Sequence, residues 1–217
     1  AGLCAAGALA GALVLRERVS GDELEVASIL RTLADAKLWR LSVGSGFYLY
    51  AQLAVIGFAV LFLHDEHGLS EGGAALVIAA SQVLAMAFRI GAGRWSDVVG
   101  SRVGPLLRVG LAVAASVGLT AVLADGPLWL LVPAIALAGG LSMAWNGLSY
   151  TAAAELAGPV RSGAAIGLQQ TVLGGAGVVA PLLFAATVSH TSWRVAFVVA
   201  ALLPLVGVWA LRPLRDY

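Results

Sequence analysis

Charged side chains are the scarcest component of this chain. Asp, Glu, Lys and Arg make up 12% of its 217 residues, whereas apolar residues make up 60%. A soluble domain carries about 25% charged residues, so these charges are too few to cover a compact globule in water. The mean hydropathy of +0.92 reflects the same imbalance. The composition therefore excludes an ordinary soluble domain and predicts a protein that is solvated by lipid.

Several kinds of chemical site are also missing from the sequence. The single cysteine, Cys4, excludes an intrachain disulfide and a cysteine-based metal site. The basic residues form no basic face, so we expect no nucleic-acid partner. No GK[ST] motif indicates an ATP site, and the apolar segments hold no Ser–His–Asp, paired-Asp or HExxH arrangement. His64 and His67 could bind a metal, but a solvated loop is the favoured interpretation. We therefore expect no enzyme, metal or cofactor.

Apolar runs long enough to cross a bilayer follow one another along most of the chain. A membrane helix needs about 20 apolar residues, and lipid offers the backbone no hydrogen bonds, so such runs should be helical. The predicted fold is an all-α membrane protein with a six-transmembrane-helix bundle over 39–212. The predicted segments are 39–63, 71–93, 104–124, 127–151, 160–187 and 193–212.

The residues on either side of this bundle differ in character. Residues 1–15 are apolar but lack the basic leader of a signal peptide, so we interpret them as the end of a preceding transmembrane helix whose start is missing. Residues 16–38 carry both charges and are interpreted as a cytoplasmic connector, a plain linker being favoured over a regulatory segment. Residues 213–217 form a predicted cytoplasmic tail. The chain is thus expected to be a fragment.

The placement of Lys and Arg predicts the orientation. If the spans alternate, nearly all strong bases fall on one side, and only Arg194 falls on the other. Cytoplasmic loops carry an excess of these residues, so the basic side and the C-terminus are predicted to be cytoplasmic in a multi-pass protein of the cell membrane. The bases on that side are Arg16, Arg18, Arg31, Lys37, Arg40, Arg94, Arg102, Arg108, Arg161, Arg212 and Arg215.

A polar, glycine-rich stretch between the second and third spans is the most distinctive motif. It runs from Gly93 to Gly104 and reads G-x-x-x-D-x-x-G-x-R-x-G. It resembles the signature loop of the major facilitator superfamily of transporters, although Pro105 and Leu106 replace two basic residues of the family pattern. Two further features are common in that family: a polar turn with Glu155, Gly158-Pro159 and Arg161, and the sequence Trp193-Arg194-x-x-Phe197.

This resemblance implies the C-terminal half of a secondary transporter. Its partners would be the lipid bilayer, a small organic substrate and the missing N-terminal six-helix half, with transport by alternating access. In the family, the third and sixth helices of each half are peripheral and the other four line a central cavity. The alternative is a transporter-like receptor or scaffold that binds ligand without flux.

The resemblance also implies a gating role for the glycine-rich loop. Its glycines permit close backbone approach, and Asp97, beside a helix N-terminus, would be stabilised by the helix dipole. We predict an ionic network joining Asp97, Arg102, Glu155 and Arg161, which would latch the cytoplasmic side in one state; a static turn is the alternative. The candidate gating residues are Gly93, Arg94, Asp97, Gly100, Arg102, Gly104, Glu155 and Arg161.

Polar residues inside the spans indicate where a substrate would bind. They are costly in lipid and normally face a cavity or a partner helix; hydrogen bonding between helices is the alternative here. Arg89, predicted within about one turn of the cytoplasmic end of its span, could snorkel, join the loop network, or face the cavity and favour an anionic ligand. The candidate cavity residues are Tyr48, Gln52, Gln82, Arg89, Trp145, Asn146, Gln169 and Gln170.

Overall fold

The computed structural model describes residues 29–215. The predicted helix end at 1–15 and the first part of the predicted connector 16–38, up to residue 28, lie outside this range. Residues 29–33 are helical, and no strand occurs within the described part of the chain. The remaining elements are α1 (Ala36–Asp65), α2 (Glu71–Val99), α3 (Val103–Val122), α4 (Leu128–Leu141), α5 (Trp145–Ala157), α6 (Ser162–His190), α7 (Trp193–Leu211) and a 3-10 turn (Arg212–Leu214).

Six spans are long and apolar enough to cross a membrane, with α4 and α5 together forming the fourth. The predicted all-α, six-span fold is therefore confirmed. The first span begins at Ala36 rather than 39, and the last continues to Leu214. The largest differences concern the ends of two spans: α2 continues to Val99 instead of ending near 93, and the fourth span continues to Ala157 instead of ending at 151.

Polar side chains define where several helices begin. The carboxylate of Asp35 accepts the Lys37 N–H at 3.0 Å at the start of α1. The Ser70 hydroxyl accepts the Gly73 N–H at 3.2 Å at the start of α2. Each cap satisfies a backbone donor that the first helical turn leaves without a partner. The α2 helix ends at Val99 and is followed by Gly100, whose φ of 66° is the left-handed conformation that glycine adopts without steric cost.

Close packing through glycine holds the core together around Tyr48, a fully buried residue of α1. Its ring lies against Gly110 of α3 and Gly207 of α7. A Cβ atom on Gly207 would lie 2.7 Å from the carbonyl oxygen of Gly44, so only glycine fits there. Helix α3 packs mainly on α7, and α1 packs on both α6 and α7. This arrangement leaves α2 and α6 as the least buried spans.

Candidate functional site

The fourth span is broken in its middle, at residues 142–144. The sequence predicts one helix over 127–151, but α4 ends at Leu141 and α5 begins at Trp145. Tight turns bridge the break, where the Ala144 N–H donates to the Leu141 carbonyl at 3.0 Å. Non-helical backbone at membrane depth is tolerated where it lines a cavity or is buried in protein. The break therefore marks a place where backbone polar groups need partners from elsewhere.

Arg89 of α2 supplies such a partner. Its Nε donates to the Met143 carbonyl at 3.0 Å, and the Asn146 amide approaches the same oxygen at 3.4 Å. Since α2 ends at Val99, Arg89 lies about 15 Å from the helix end, at ~1.5 Å per residue. The prediction that Arg89 lies within one turn of the end is therefore wrong. The guanidinium is held at the break, not at the membrane surface.

Gln52 of α1 joins the first helix to the same region. Its Oε1 accepts a hydrogen bond from the indole Nε1 of Trp145 at 3.1 Å and a longer one from Asn146 Nδ2 at 3.4 Å. On the opposite side, the Tyr150 hydroxyl donates to Gln170 Oε1 at 3.0 Å and links α5 to α6. Side chains from α1, α5 and α6 are thus ordered by one another next to Arg89.

These groups line a cavity of about 630 Å³, a size typical of small-molecule sites. All its lining residues come from the first, second, fourth and fifth spans, and none from α3 or α7. The apolar wall residues carry no signal in the sequence that would have identified them. The lining consists of Leu49, Gln52, Arg89, Trp145, Asn146, Gly147, Tyr150, Gln170, Leu173 and Gly174.

Three candidate cavity residues lie elsewhere. Tyr48 is buried behind the wall, with its ring edge-on to Trp145 and the centroids 6.1 Å apart. Gln169 is fully buried and donates to the Ser149 hydroxyl. Its neighbour Gln170 faces the cavity instead, because consecutive helical residues point about 100° apart. Gln82 is exposed on α2. These placements correct the predicted set.

An ionic cluster lies at the end of the bundle where α2 stops. Arg102 Nε donates to Glu155 Oε1 at 2.9 Å, and its Nη1 donates to Asp97 and to the Ser96 hydroxyl. These bonds, first to Asp97 and then to Glu155, raise the pKa of Arg102 above its ordinary value. The cluster fastens together the ends of α2 and α5 and the start of α3.

One predicted member of the network has another partner. Arg161 lies 3.6 Å from Asp35, at the start of α1, instead of joining Glu155. The sequence could not reveal this pair, because its members are 126 positions apart (161 − 35) and the prediction placed Asp35 in a connector. The result is a second ionic contact at the same end of the bundle, between α1 and the segment before α6.

The supposed glycine-rich loop is mostly helical. Gly93, Arg94 and Asp97 belong to the last turns of α2, and Gly104 belongs to α3. Asp97 therefore lies near a helix C-terminus, where the dipole disfavours a negative charge, so the prediction of dipole stabilisation is wrong. The Arg102 guanidinium stabilises the carboxylate instead. Only 100–102 form the connection itself.

A second cavity of about 270 Å³ lies between the larger one and the ionic cluster. Arg89 and Gly147 line both cavities, so the two are adjacent. Along α2, positions 89, 93 and 97 share one face because they are four residues apart. A polar wall therefore runs from the broken span to the ionic cluster at the end of the bundle. The smaller cavity is lined by Arg89, Gly93, Asp97, Arg102, Ala144, Gly147, Leu148 and Thr151.

Six apolar spans, four of which line a polar, cationic cavity, define a multi-pass membrane protein. The sequence model of the Major Facilitator Superfamily matches residues 41–216, and the chain belongs to this family. It is 33% identical over 196 residues to the MFS-type transporter Rv2994 of Mycobacterium tuberculosis. The aligned region covers 89% of this chain and 43% of that protein. Another relative, the MFS-type transporter MT3072 from strain Oshkosh of that species, is 32% identical, and the aligned region again covers 89% of this chain and 43% of that protein.

A solved structure shows the same fold. The Escherichia coli fucose:proton symporter FucP superposes with a TM-score of 0.72 at 15% identity, and the match covers 92% of this chain and 50% of that one. At this identity the likeness concerns the fold alone. The chain spans less than half the length of the curated relatives that it matches.

Proposed function

We propose that this chain forms one six-helix half of a secondary transporter that moves a small organic solute across the cell membrane by alternating access. The observation that carries the proposal is the polar cavity of about 630 Å³ that opens on one face of a six-span bundle. A cavity at membrane depth lined by amides, a phenol and a guanidinium suits a small solute that is oriented by hydrogen bonds and stacking.

The surfaces of α2 and α6 support docking of a second bundle. They are the least buried spans, and α6 exposes glycines whose added Cβ would meet no atom within 4 Å, including Gly163, Gly167 and Gly175. Small residues allow close approach of membrane helices. We assign these faces to contact with the other half, with the cavity between the two halves, as in transporters built from repeated bundles.

Ion pairs at the two ends of the bundle support gating. The pairs of Arg102 and of Arg161 lie at one end, which we assign to the cytoplasm because most Lys and Arg residues fall there. The pair between Arg194 and Asp125 lies at the other. The pair of Arg194 is exposed and the other pairs are partly exposed, so each contributes about 1 kcal/mol or less. Contacts this weak can form and break as the bundles rock.

The test is uptake by the full-length protein in lipid vesicles, with solutes from a soluble cell extract identified by mass spectrometry after washing. We expect at least one solute to accumulate. Replacing Asn146 by Ala should reduce that uptake, because its amide donates to Gln52 and to Met143. Thr187→Ala, a partly exposed position on α6 outside the cavity, should not reduce it. Saturable binding of a solute without any net uptake would instead support the receptor or scaffold alternative.

A further inference from the structure

We propose that the solute is a small organic oxyanion, a carboxylate or a phosphate, recognised by the guanidinium of Arg89; this inference rests on the proposed transport function. Among the described residues that line the larger cavity, Arg89 is the one charged side chain. The others are apolar, aromatic or amide-bearing. The cavity wall formed by this bundle therefore carries one positive charge and no carboxylate to balance it.

The depth of Arg89 in the membrane makes this charge informative. Helix α2 has 29 residues, so Arg89 lies four residues beyond its middle, or about 6 Å along the axis. A cation at this depth is costly unless it is paired or faces a water-filled cavity. The nearest acidic group on the same face of α2, Asp97, is held by Arg102 in the ionic cluster. An anion that enters the cavity would supply the missing partner.

The orientation of the guanidinium leaves a binding edge for that anion. Within residues 29–215, its one hydrogen bond is from Nε to the Met143 carbonyl. The two terminal nitrogens remain, and their parallel N–H groups match the two oxygens of a carboxylate or phosphate. The bond to Met143 fixes the plane of the guanidinium beforehand, which reduces the entropy lost when an anion binds.

The side chains beside Arg89 can bind the uncharged part of an organic anion. Gln52 and Asn146 present amides beside Arg89, and Tyr150 presents a phenol hydroxyl across the cavity. These groups can bind hydroxyl or amide substituents, and the aromatic rings can cover an apolar part. Arg89 also lines the smaller cavity, together with Arg102 and Asp97. The Arg102 guanidinium is already paired with Asp97 and Glu155, so Arg89 is the cation that an anion in the larger cavity would meet.

Two substitutions separate recognition of an anion from a purely structural role of Arg89. Arg89→Gln keeps a side-chain N–H donor for the Met143 carbonyl but removes the charge. Arg89→Lys keeps the charge but removes the planar pair of donors. If Arg89 is purely structural, the Arg89→Gln variant should retain at least as much uptake as the Arg89→Lys variant. If Arg89 recognises an anion, the Arg89→Lys variant should retain more uptake than the Arg89→Gln variant. Arg215→Gln, at an exposed position beyond the last helix, is the matched control for loss of an arginine.

The experiment uses the full-length protein in vesicles, incubated with a soluble cell extract, and determines the net charge at pH 7 of each solute that accumulates. We expect the wild-type protein to accumulate anions, whose identity distinguishes carboxylates from phosphates. Arg89→Gln should reduce their uptake by at least about 10-fold, since hydrogen bonds to charged groups contribute about 1.5–3 kcal/mol. Arg215→Gln should leave it unchanged.

Two different failures are distinguishable. Accumulation of neutral or cationic solutes, unchanged in Arg89→Gln, would overturn the assignment of an anion and leave the transporter intact. Absence of any uptake by folded wild-type protein would overturn the proposed function itself. The net charge of the solutes taken up by the wild-type protein decides the question even if the Arg89 variants do not fold.

Discussion

The contact between Tyr48 and Gly110 predicts a large loss of stability from one added methyl group. In Gly110→Ala the new Cβ would lie 2.7 Å from Tyr48 Cε1 and would overlap the hydroxyl group. The tyrosine ring cannot withdraw, because its other side is packed on Gly207 and its edge meets Trp145. Inserting atoms into a packed core costs about 1–3 kcal/mol.

The same helix offers a matched control. A Cβ on Gly118 of α3 would lie 3.8 Å from the Cβ of Ala201, which is ordinary van der Waals contact. Alanine is favoured over glycine inside helices by up to about 1 kcal/mol, so Gly118→Ala should be neutral or stabilising. Gly110→Ala gains the same propensity but loses more to overlap. We expect the two variants to differ by about 2 kcal/mol in free energy of unfolding.

Unfolding in mixed micelles, with increasing sodium dodecyl sulfate and detection by tryptophan fluorescence, measures this difference. A double-mutant cycle with Tyr48→Phe adds a check, because removal of the nearest clashing atom should recover part of the loss caused by Gly110→Ala. Equal stability of Gly110→Ala and Gly118→Ala would refute the packing of Tyr48 between α3 and α7.

Two further predictions concern single side chains. Tyr48→Phe alone should change the free energy of unfolding by less than about 1 kcal/mol, because the buried hydroxyl has no hydrogen-bond partner among the described residues; a loss above 2 kcal/mol in the same unfolding assay would reveal a partner. Asp97→Asn should slow uptake much more than it weakens solute binding, since Asp97 lies in the ionic cluster and outside the larger cavity. Measurement of uptake and of solute binding in vesicles tests this, and an equal loss of the two would argue against a gating role.

The number and order of the spans could be predicted because each needs one continuous apolar run, which is directly visible in a sequence. The end of α2 could not be predicted in this way. Its 29 residues extend about 43 Å at ~1.5 Å per residue, beyond the ~30 Å hydrocarbon core. With the helix centred on the bilayer, Asp97 lies about 18 Å from the middle at ~1.5 Å per residue, on helix outside the core, where polar residues and glycines resemble a loop.

Five of the predicted cavity residues line the larger cavity, and their contact with a substrate stays a prediction. The spacing of polar residues along the spans pointed to Gln52 and Asn146, because polar groups are costly at membrane depth. It could not decide which of Gln169 and Gln170 faces the cavity, since that depends on how α6 is rotated against its neighbours. Nor was the break at 142–144 predicted, although Gly139 and Gly140 lie just before it and glycine weakens a helix.

Access to the cavity from both sides of the membrane tests the central claim most directly. Gln170 lines the cavity and is exposed, and Cys4 is the one native cysteine in the sequence. A Gln170→Cys variant of the full-length protein, in a background that lacks other cysteines, would be labelled with a membrane-impermeant maleimide from each side in turn. Alternating access predicts that the thiol is labelled from either side of the membrane. Cross-linking that closes the cavity on one side should leave the thiol reactive from the other side. Labelling from one side alone under all conditions would contradict the account.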